Sequence, residues 1–111
     1  MSKASVRNYN NVVIGHVSSD GDVTNYNGAR VGSVSRDGTV YNTNHICVGT
    51  VLWNDFLSIG TLYNGNRASV GELSDDGSVH RNGRLIGRID TGVVSGELMG
   101  GAAILLLLWS V

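Results

Sequence analysis

The sequence predicts an all-β protein, an antiparallel meander of about ten short strands built from tandem Val-Gly-x-Val repeats. An apolar-Gly-x-apolar unit recurs along the chain, and two kinds of turn sequence separate its copies. The chain is also rich in Val, which favours strands, and it contains no Pro. The six clear copies begin at Ile14, Val31, Val48, Ile59, Val70 and Ile86, and a degenerate seventh covers Ser95–Leu98.

Turns of the first kind read Ser-x-Asp-Gly and predict three-residue hairpin loops. Val17 and Val23 flank Asp20 symmetrically, which suits a type I turn followed by a residue in the left-handed conformation. Gly takes that conformation without steric cost. We therefore expect positive φ at Gly21 and at the equivalent residues of the other copies, Gly38 and Gly77.

Turns of the second kind are rich in Asn. Gly28 occupies the expected left-handed position in one copy, and Asn11 or His45 replaces it in two others. Asn and His tolerate left-handed φ better than most residues other than Gly. The shorter Asn82-Gly83 connection predicts a type I′ turn.

Joining these hairpins in order predicts strands at 12–18, 22–25, 29–35, 39–42, 46–53, 57–63, 68–74, 78–81, 84–90 and 93–98. The spacing of the recurrent glycines drops from 17 residues to 11 on either side of Gly60, where no Asp-Gly turn is present. The two apolar residues of each unit are three apart, so a flat strand would place them on opposite faces. A β-bulge at Gly, which we favour, would return both to one face. The alternative is a strand buried on both faces, with one face against a neighbouring subunit.

A meander with one or two apolar residues per strand has a thin core and exposed edges, so it must be covered. We expect one of three arrangements. The sheet is covered by closing on itself, in a closed, prism-like or solenoid-like form, by stacking in a homo-oligomer, or by the apolar C-terminal segment. We therefore divide the chain into a β-repeat domain, residues 1–99, and an apolar segment, residues 100–111.

The apolar segment contains eight consecutive apolar residues from Ala102 to Trp109. This run is too short to span a membrane, which takes about 20 residues. It suits a last strand or a short helix that is apolar all round and therefore buried, with Gly100-Gly101 as a hinge. We expect it to pack on the sheet or in an oligomer. The predicted oligomerisation residues are Leu105, Leu106, Leu107, Leu108 and Trp109.

Composition narrows the classes of partner. The net charge is −1, charged residues make up 15% of the chain, and no run of Lys or Arg exists, so we expect no nucleic-acid partner. The single Cys47 excludes an internal disulfide framework. The N-terminal residues contain no apolar stretch, so no secretory signal is expected and a cytoplasmic location is the default.

All four tyrosines and several asparagines recur near one end of the predicted meander. Such residues on loops are suited to binding a carbohydrate or a protein, although Tyr also packs across strands and Asn also shapes turns. The candidate binding residues are Tyr9, Tyr26, Tyr41, Tyr63, Asn27 and Asn64.

The sequence contains no motif typical of catalysis or of metal binding. His45 and Cys47 lie two residues apart, but no second pair with ligand spacing accompanies them, so we expect no metal site. The chain has neither a Gly-x-Ser-x-Gly nucleophile elbow nor a Gly-rich phosphate loop before a helix. We expect no cofactor and no enzymatic activity.

The recurrent unit broadly resembles other short β-repeats with Asp-Gly turns, as in solenoids and trimeric fibre shafts, which implies a scaffold or interaction role. We therefore expect a non-enzymatic structural module that self-assembles into a homo-oligomer. The alternative is a binding module that recognises a carbohydrate or a protein through its Asn/Tyr-rich loops.

Overall fold

The computed structural model describes residues 3–108, in which ten antiparallel strands form a closed barrel around a C-terminal helix. The strands are β1 Lys3–Asn8, β2 Val13–Ser18, β3 Asp22–Asn25, β4 Arg30–Val34, β5 Thr39–Asn42, β6 Cys47–Asn54, β7 Ile59–Asn64, β8 Ser69–Leu73, β9 Ser78–Arg81 and β10 Arg84–Ile89. Each strand pairs with its neighbours along the chain, and β1 pairs with β10 through Val6 and Ile89. The predicted meander is confirmed, and it takes the closed form, in which no described strand is left as an edge.

The turn predictions are confirmed at the backbone. Gly21, Gly38 and Gly77 have φ of 92°, 94° and 86°. The left-handed residues of the Asn-rich turns are Asn11, Gly28 and His45, and both Asn82 and Gly83 have positive φ. Arg67 takes the same position in the β7–β8 loop with φ of 64°, although its residue type indicates no such preference.

A β-bulge lies at the residue before the recurrent glycine in five copies of the unit. Between β3 and β4, Val23 pairs with Gly32 and Thr24 pairs with Arg30, which leaves Val31 as the extra residue. The other bulged residues are Ile14, Val48, Val70 and Ile86. All five pack against the core, so the bulge interpretation is confirmed.

The copy that begins at Ile59 differs from the other five. Pairing between β6 and β7 is regular, with Gly60 opposite Trp53 and Ile59 opposite Asn54. Without a bulge, strict alternation turns Ile59 to the outer face of the barrel, where it is exposed.

The predicted strand at 93–98 is wrong, because Ser95 begins a helix instead. Its side chain accepts a hydrogen bond from the Leu98 N–H at 3.3 Å, as an N-cap does. The helix α1 covers Gly96–Ala103 and continues as a π-helical turn, Ile104–Leu108, inside the barrel. Strand β1 was not predicted, because only Ala4 and Val6 on it are apolar and inward-facing.

The five bulged strands and the end of the helix fit each other residue by residue. A β-carbon at Gly15 would lie 2.7 Å from Leu106 Cδ1, closer than real contacts allow. The glycines and the helix residues nearest to them are Gly49 with Ile104, Gly32 with Leu105, Gly15 with Leu106, Gly87 with Leu107 and Gly71 with Leu108. Five consecutive side chains therefore face five alternate strands in order, an arrangement that suits the wide i→i+5 turn of a π-helix.

Gly100 and Gly101 lie within α1 and not at a hinge, so that prediction is wrong. A β-carbon at Gly100 would lie 2.6 Å from Val51 Cγ1, and one at Gly101 would overlap Val34. The two glycines let the helix approach the wall of the barrel closely.

Candidate functional site

Of the residues predicted to mediate oligomerisation, the four leucines pack against their own chain. Leu105 and Leu108 are buried in the barrel, and Leu106 and Leu107 are partly buried and pack against the same core. Trp109 lies outside the described residues. Residues 100–108 of the apolar segment thus pack on their own sheet, which is one of the arrangements expected from the sequence.

Large apolar side chains are exposed together on the hairpin formed by β6 and β7. Leu52 on β6 is 63% exposed and Ile59 on β7 is 41% exposed. At the tip of the hairpin, Phe56 is 93% exposed and Leu57 is 58% exposed. We call these four residues the β6–β7 patch.

Leu52 lies three residues after the recurrent glycine of its copy, Gly49. At this position the other four bulged copies have polar residues, which are Ser18, Ser35, Ser74 and Asp90. The remaining exposed large apolar residues lie on connecting segments or at the start of a strand, as one or two side chains each. These are Tyr9, Val12, Tyr26, Ile46, Leu85 at the start of β10, and Val93. The β6–β7 patch is therefore a local departure from the pattern of the barrel.

Trp53 fixes the hairpin to the central helix. It lies on the inner face opposite Gly60, where a β-carbon would approach its Cε3 to 3.0 Å. A β-carbon at Gly96 would overlap the same indole, so the ring lies directly against the first residue of α1. The two strands that carry Leu52 and Ile59 are thus anchored to the helix, and Phe56 and Leu57 lie on the turn that joins them.

Two shallow hollows lie on the outer face of the hairpin, and Leu52 borders both. One, of about 390 Å³, is lined by Thr50, Val51, Leu52, Tyr63 and Arg67. The other, of about 430 Å³, lies toward the tip and is lined by Leu52, Trp53, Asn54, Asp55, Leu57, Ile59 and Thr61. Within residues 3–108, the ion pairs are Arg7–Asp90 and Arg30–Asp22, so neither Arg67 nor Asp55 takes part in one.

The predicted tyrosine set is divided between two locations. Tyr9 and Tyr26 lie at the tips of adjacent hairpin loops, with 70% and 71% of their surface exposed. Tyr41 and Tyr63 lie on β5 and β7 and are half-buried. Tyr41 stacks on His45, with ring centroids 4.5 Å apart and planes 9° from parallel. Of the four tyrosines, only Tyr9 and Tyr26 project freely, from the end of the barrel that carries the Asn-rich turns.

The asparagines at that end hold the turns together. Asn64 Oδ1 accepts hydrogen bonds from the N–H groups of Asn66 and Ala68 at 2.9 and 3.1 Å. Asn25 Oδ1 accepts from Asn27 and Ala29 in the same way. Asn64 thus uses its side-chain oxygen within its own turn, and Asn27 contributes its backbone N–H to one.

Two exposed aspartates have a lowered pKa, and the cause lies in their own turns. The Ser35 hydroxyl and the Thr39 N–H donate to Asp37, and these bonds hold the pKa of its carboxyl below the usual range. The Ser78 N–H donates to Asp76 at 2.9 Å and lowers its pKa likewise. Among the described residues, no three His, Cys, Asp or Glu side chains come together as a group able to hold a metal ion.

Comparison with protein-family models, with curated proteins and with solved structures finds no match to this chain. Over residues 3–108, no helix combines the length and apolar character needed to cross a membrane.

Sequence reasoning did not find the β6–β7 patch, although a signal was present. The glycine spacing shortens to 11 residues on either side of Gly60, and the connection after Asn54 lacks Asp-Gly. Both features mark the hairpin that lacks the bulge. The outward position of Leu52 follows only from the register between β6 and β7.

Proposed function

We propose that this protein is a non-enzymatic module that associates with itself through the β6–β7 patch. The observation that carries the proposal is the concentration of four exposed apolar side chains, Leu52, Phe56, Leu57 and Ile59, on one hairpin. Contiguous exposed apolar surface on an otherwise polar protein marks an interaction site.

The closed barrel favours this surface over other modes of assembly. Every described strand is paired on both sides, so no sheet edge is free to add a strand from another chain. The central helix occupies the barrel interior, so no inner face of the sheet is free for a partner. Assembly through the described residues must therefore use the outer surface.

The patch is large enough for a weak dimer. Burial of the exposed fractions of its four side chains would contribute roughly 4–8 kcal/mol per subunit. A symmetric dimer gains this contribution twice, against roughly 4–15 kcal/mol for lost translational and rotational freedom. We therefore expect a dimer of modest affinity, dependent on concentration.

Light scattering and analytical ultracentrifugation over a concentration series test the proposal. We expect the full chain to dimerise, and Leu52→Asp or Phe56→Ser to make it monomeric without lowering its melting temperature. Tyr26→Ser is the matched control, because Tyr26 is as exposed as the patch residues but lies at the opposite end of the barrel. A full chain that stays monomeric at the highest soluble concentration would refute the proposal.

A second candidate function is favoured by Tyr9 and Tyr26. Their rings lie exposed on the β1–β2 and β3–β4 loops, which are neighbours because β2 pairs with β3. Exposed aromatic faces on adjacent loops suit the apolar face of a sugar ring or a protein loop. A glycan array tests this function: binding that Tyr9→Ala and Tyr26→Ala abolish would support it, and no binding above background removes the carbohydrate version.

A further inference from the structure

The two ends of the β6–β7 outer face carry opposite charges, and a hollow lies at one end and an exposed aromatic ring at the other. At one end, Tyr63 and Arg67 line a hollow beside Leu52. At the other end, the ring of Phe56 at the hairpin tip is 93% exposed, and Asp55 precedes it in the turn and lines the second hollow. A hollow with a cation therefore lies at one end, and an exposed ring with an anion at the other.

A two-fold dimer requires this kind of self-complementarity, because residue i of one copy contacts residue j of the other and j contacts i. A two-fold axis that lies in the plane between the two faces and runs across the strands near Leu52 brings each end of one copy against the opposite end of the other. Asp55 then faces Arg67 twice. An axis in the same plane but parallel to the strands would instead place Asp55 against Asp55 and Arg67 against Arg67, which is unfavourable.

We infer that two copies of this chain pair face to face and antiparallel about an axis near Leu52. In this pairing, Phe56 of each copy enters the hollow between Tyr63 and Arg67 of the other, and Asp55 faces the other copy's Arg67. The inference rests on the proposed self-association and adds the partner, the axis and the contacts.

The apolar contacts supply the affinity and the charges select the orientation. An exposed ion pair contributes little by itself, but like charges facing each other twice in one interface are costly. The charge contribution is also screened by salt, so the orientation signal is strongest at low ionic strength.

Charge reversal tests the arrangement in the full-length protein. In Asp55→Arg, two cations face each other at both contacts, and in Arg67→Asp two anions do. We expect dimerisation of each variant alone to weaken about ten-fold at low salt. An equimolar mixture regains the dimer as a heterodimer, because both contacts then join opposite charges. Native mass spectrometry of mass-tagged chains counts the homodimers and heterodimers.

The doubly changed chain, Asp55→Arg with Arg67→Asp, restores opposite charges within one sequence, and we expect its homodimer to recover. Both sites tolerate the change, since Asp55 lies at an exposed tip and Asp suits the left-handed backbone of residue 67. Arg84→Asp, at an exposed position on β10, is the control and leaves dimerisation unchanged.

The outcomes distinguish a failure of the antiparallel pairing from a failure of self-association through the β6–β7 patch. The antiparallel pairing is overturned if each single variant forms a homodimer as strong as that of the unmodified chain and the two variants mix at random. If Leu52→Asp still abolishes that dimer, self-association through the patch stands. A monomeric unmodified chain refutes both.

Discussion

Replacement of Gly32 by Ala tests whether the recurrent glycines are present to admit the central helix. A β-carbon at this position would overlap the carbonyl oxygen of Tyr41 on β5 and lie 2.7 Å from Leu105 Cδ1. The carbonyl belongs to the backbone of the neighbouring strand and cannot move away without disturbing the sheet. The leucine is buried in the barrel interior, where packing is dense.

Overpacking by one methyl group costs about 1–3 kcal/mol in well-packed cores. Because a backbone atom is also involved, we expect Gly32→Ala to lower the free energy of unfolding by about 2–4 kcal/mol. For a chain of this size, that corresponds to a fall of roughly 10–20 °C in melting temperature. Urea titration followed by circular dichroism measures the first quantity, and a thermal scan the second.

Gly65→Ala is the matched control. The nearest atom to a β-carbon there is Cys47 O at 3.7 Å, an ordinary contact, and its φ lies outside the left-handed range. Ala at such a position is neutral or stabilises by about 0.4–1 kcal/mol. If Gly32→Ala lay within 0.5 kcal/mol of this control, roughly the error of such measurements, the argument that the helix requires the glycines would be refuted.

Three further predictions concern the interior, the turns and the dependence on pH. Leu105→Ala leaves a cavity in the barrel interior and should lower the free energy of unfolding by about 2–5 kcal/mol in urea titrations. Phe56→Ala on the exposed tip should change it by less than about 0.5 kcal/mol. Asn25→Ala removes the acceptor of two backbone N–H groups and should cost about 1–2 kcal/mol, while Asn27→Ala costs much less; equal losses would contradict the turn argument. The pKa of Asp37 is lower in the folded state than in the unfolded chain, so its stabilisation is present above pH ~4 and is lost as pH falls through the folded value. Asp37→Asn should therefore flatten the fall in melting temperature below that pH, and an unchanged slope would contradict this.

The closed barrel also explains why a thin set of valines suffices as a core. Each strand contributes one or two inward side chains, such as Val23 and Val40, and these meet both the neighbouring strands and the helix. A flat meander would expose the same side chains to water on its inner face. The helix, from Leu98 to Leu108, provides the apolar surface against which these side chains pack.

Local chemistry accounts for the parts of the fold that the sequence predicted correctly. Gly21 and Asn82-Gly83 have positive φ because their turns require it, whatever surrounds them. The three-residue apolar spacing implies a bulge because alternation along a strand allows few other solutions, and Val31 has that bulge. These features depend on a few neighbouring residues, so one sequence is enough to read them.

Tertiary packing determined the rest. Ser95–Leu98 matches the recurrent unit in sequence, yet it begins a helix, because all ten strands already close the sheet and its interior requires an apolar filling. The same closure packs Leu105–Leu108 against the sheet of their own chain and leaves Leu52 facing solvent. Whether an apolar side chain on a strand is buried or exposed depends on what lies across the sheet from it. That partner comes from residues distant in the chain, and only the closed barrel with its helix in place identifies it.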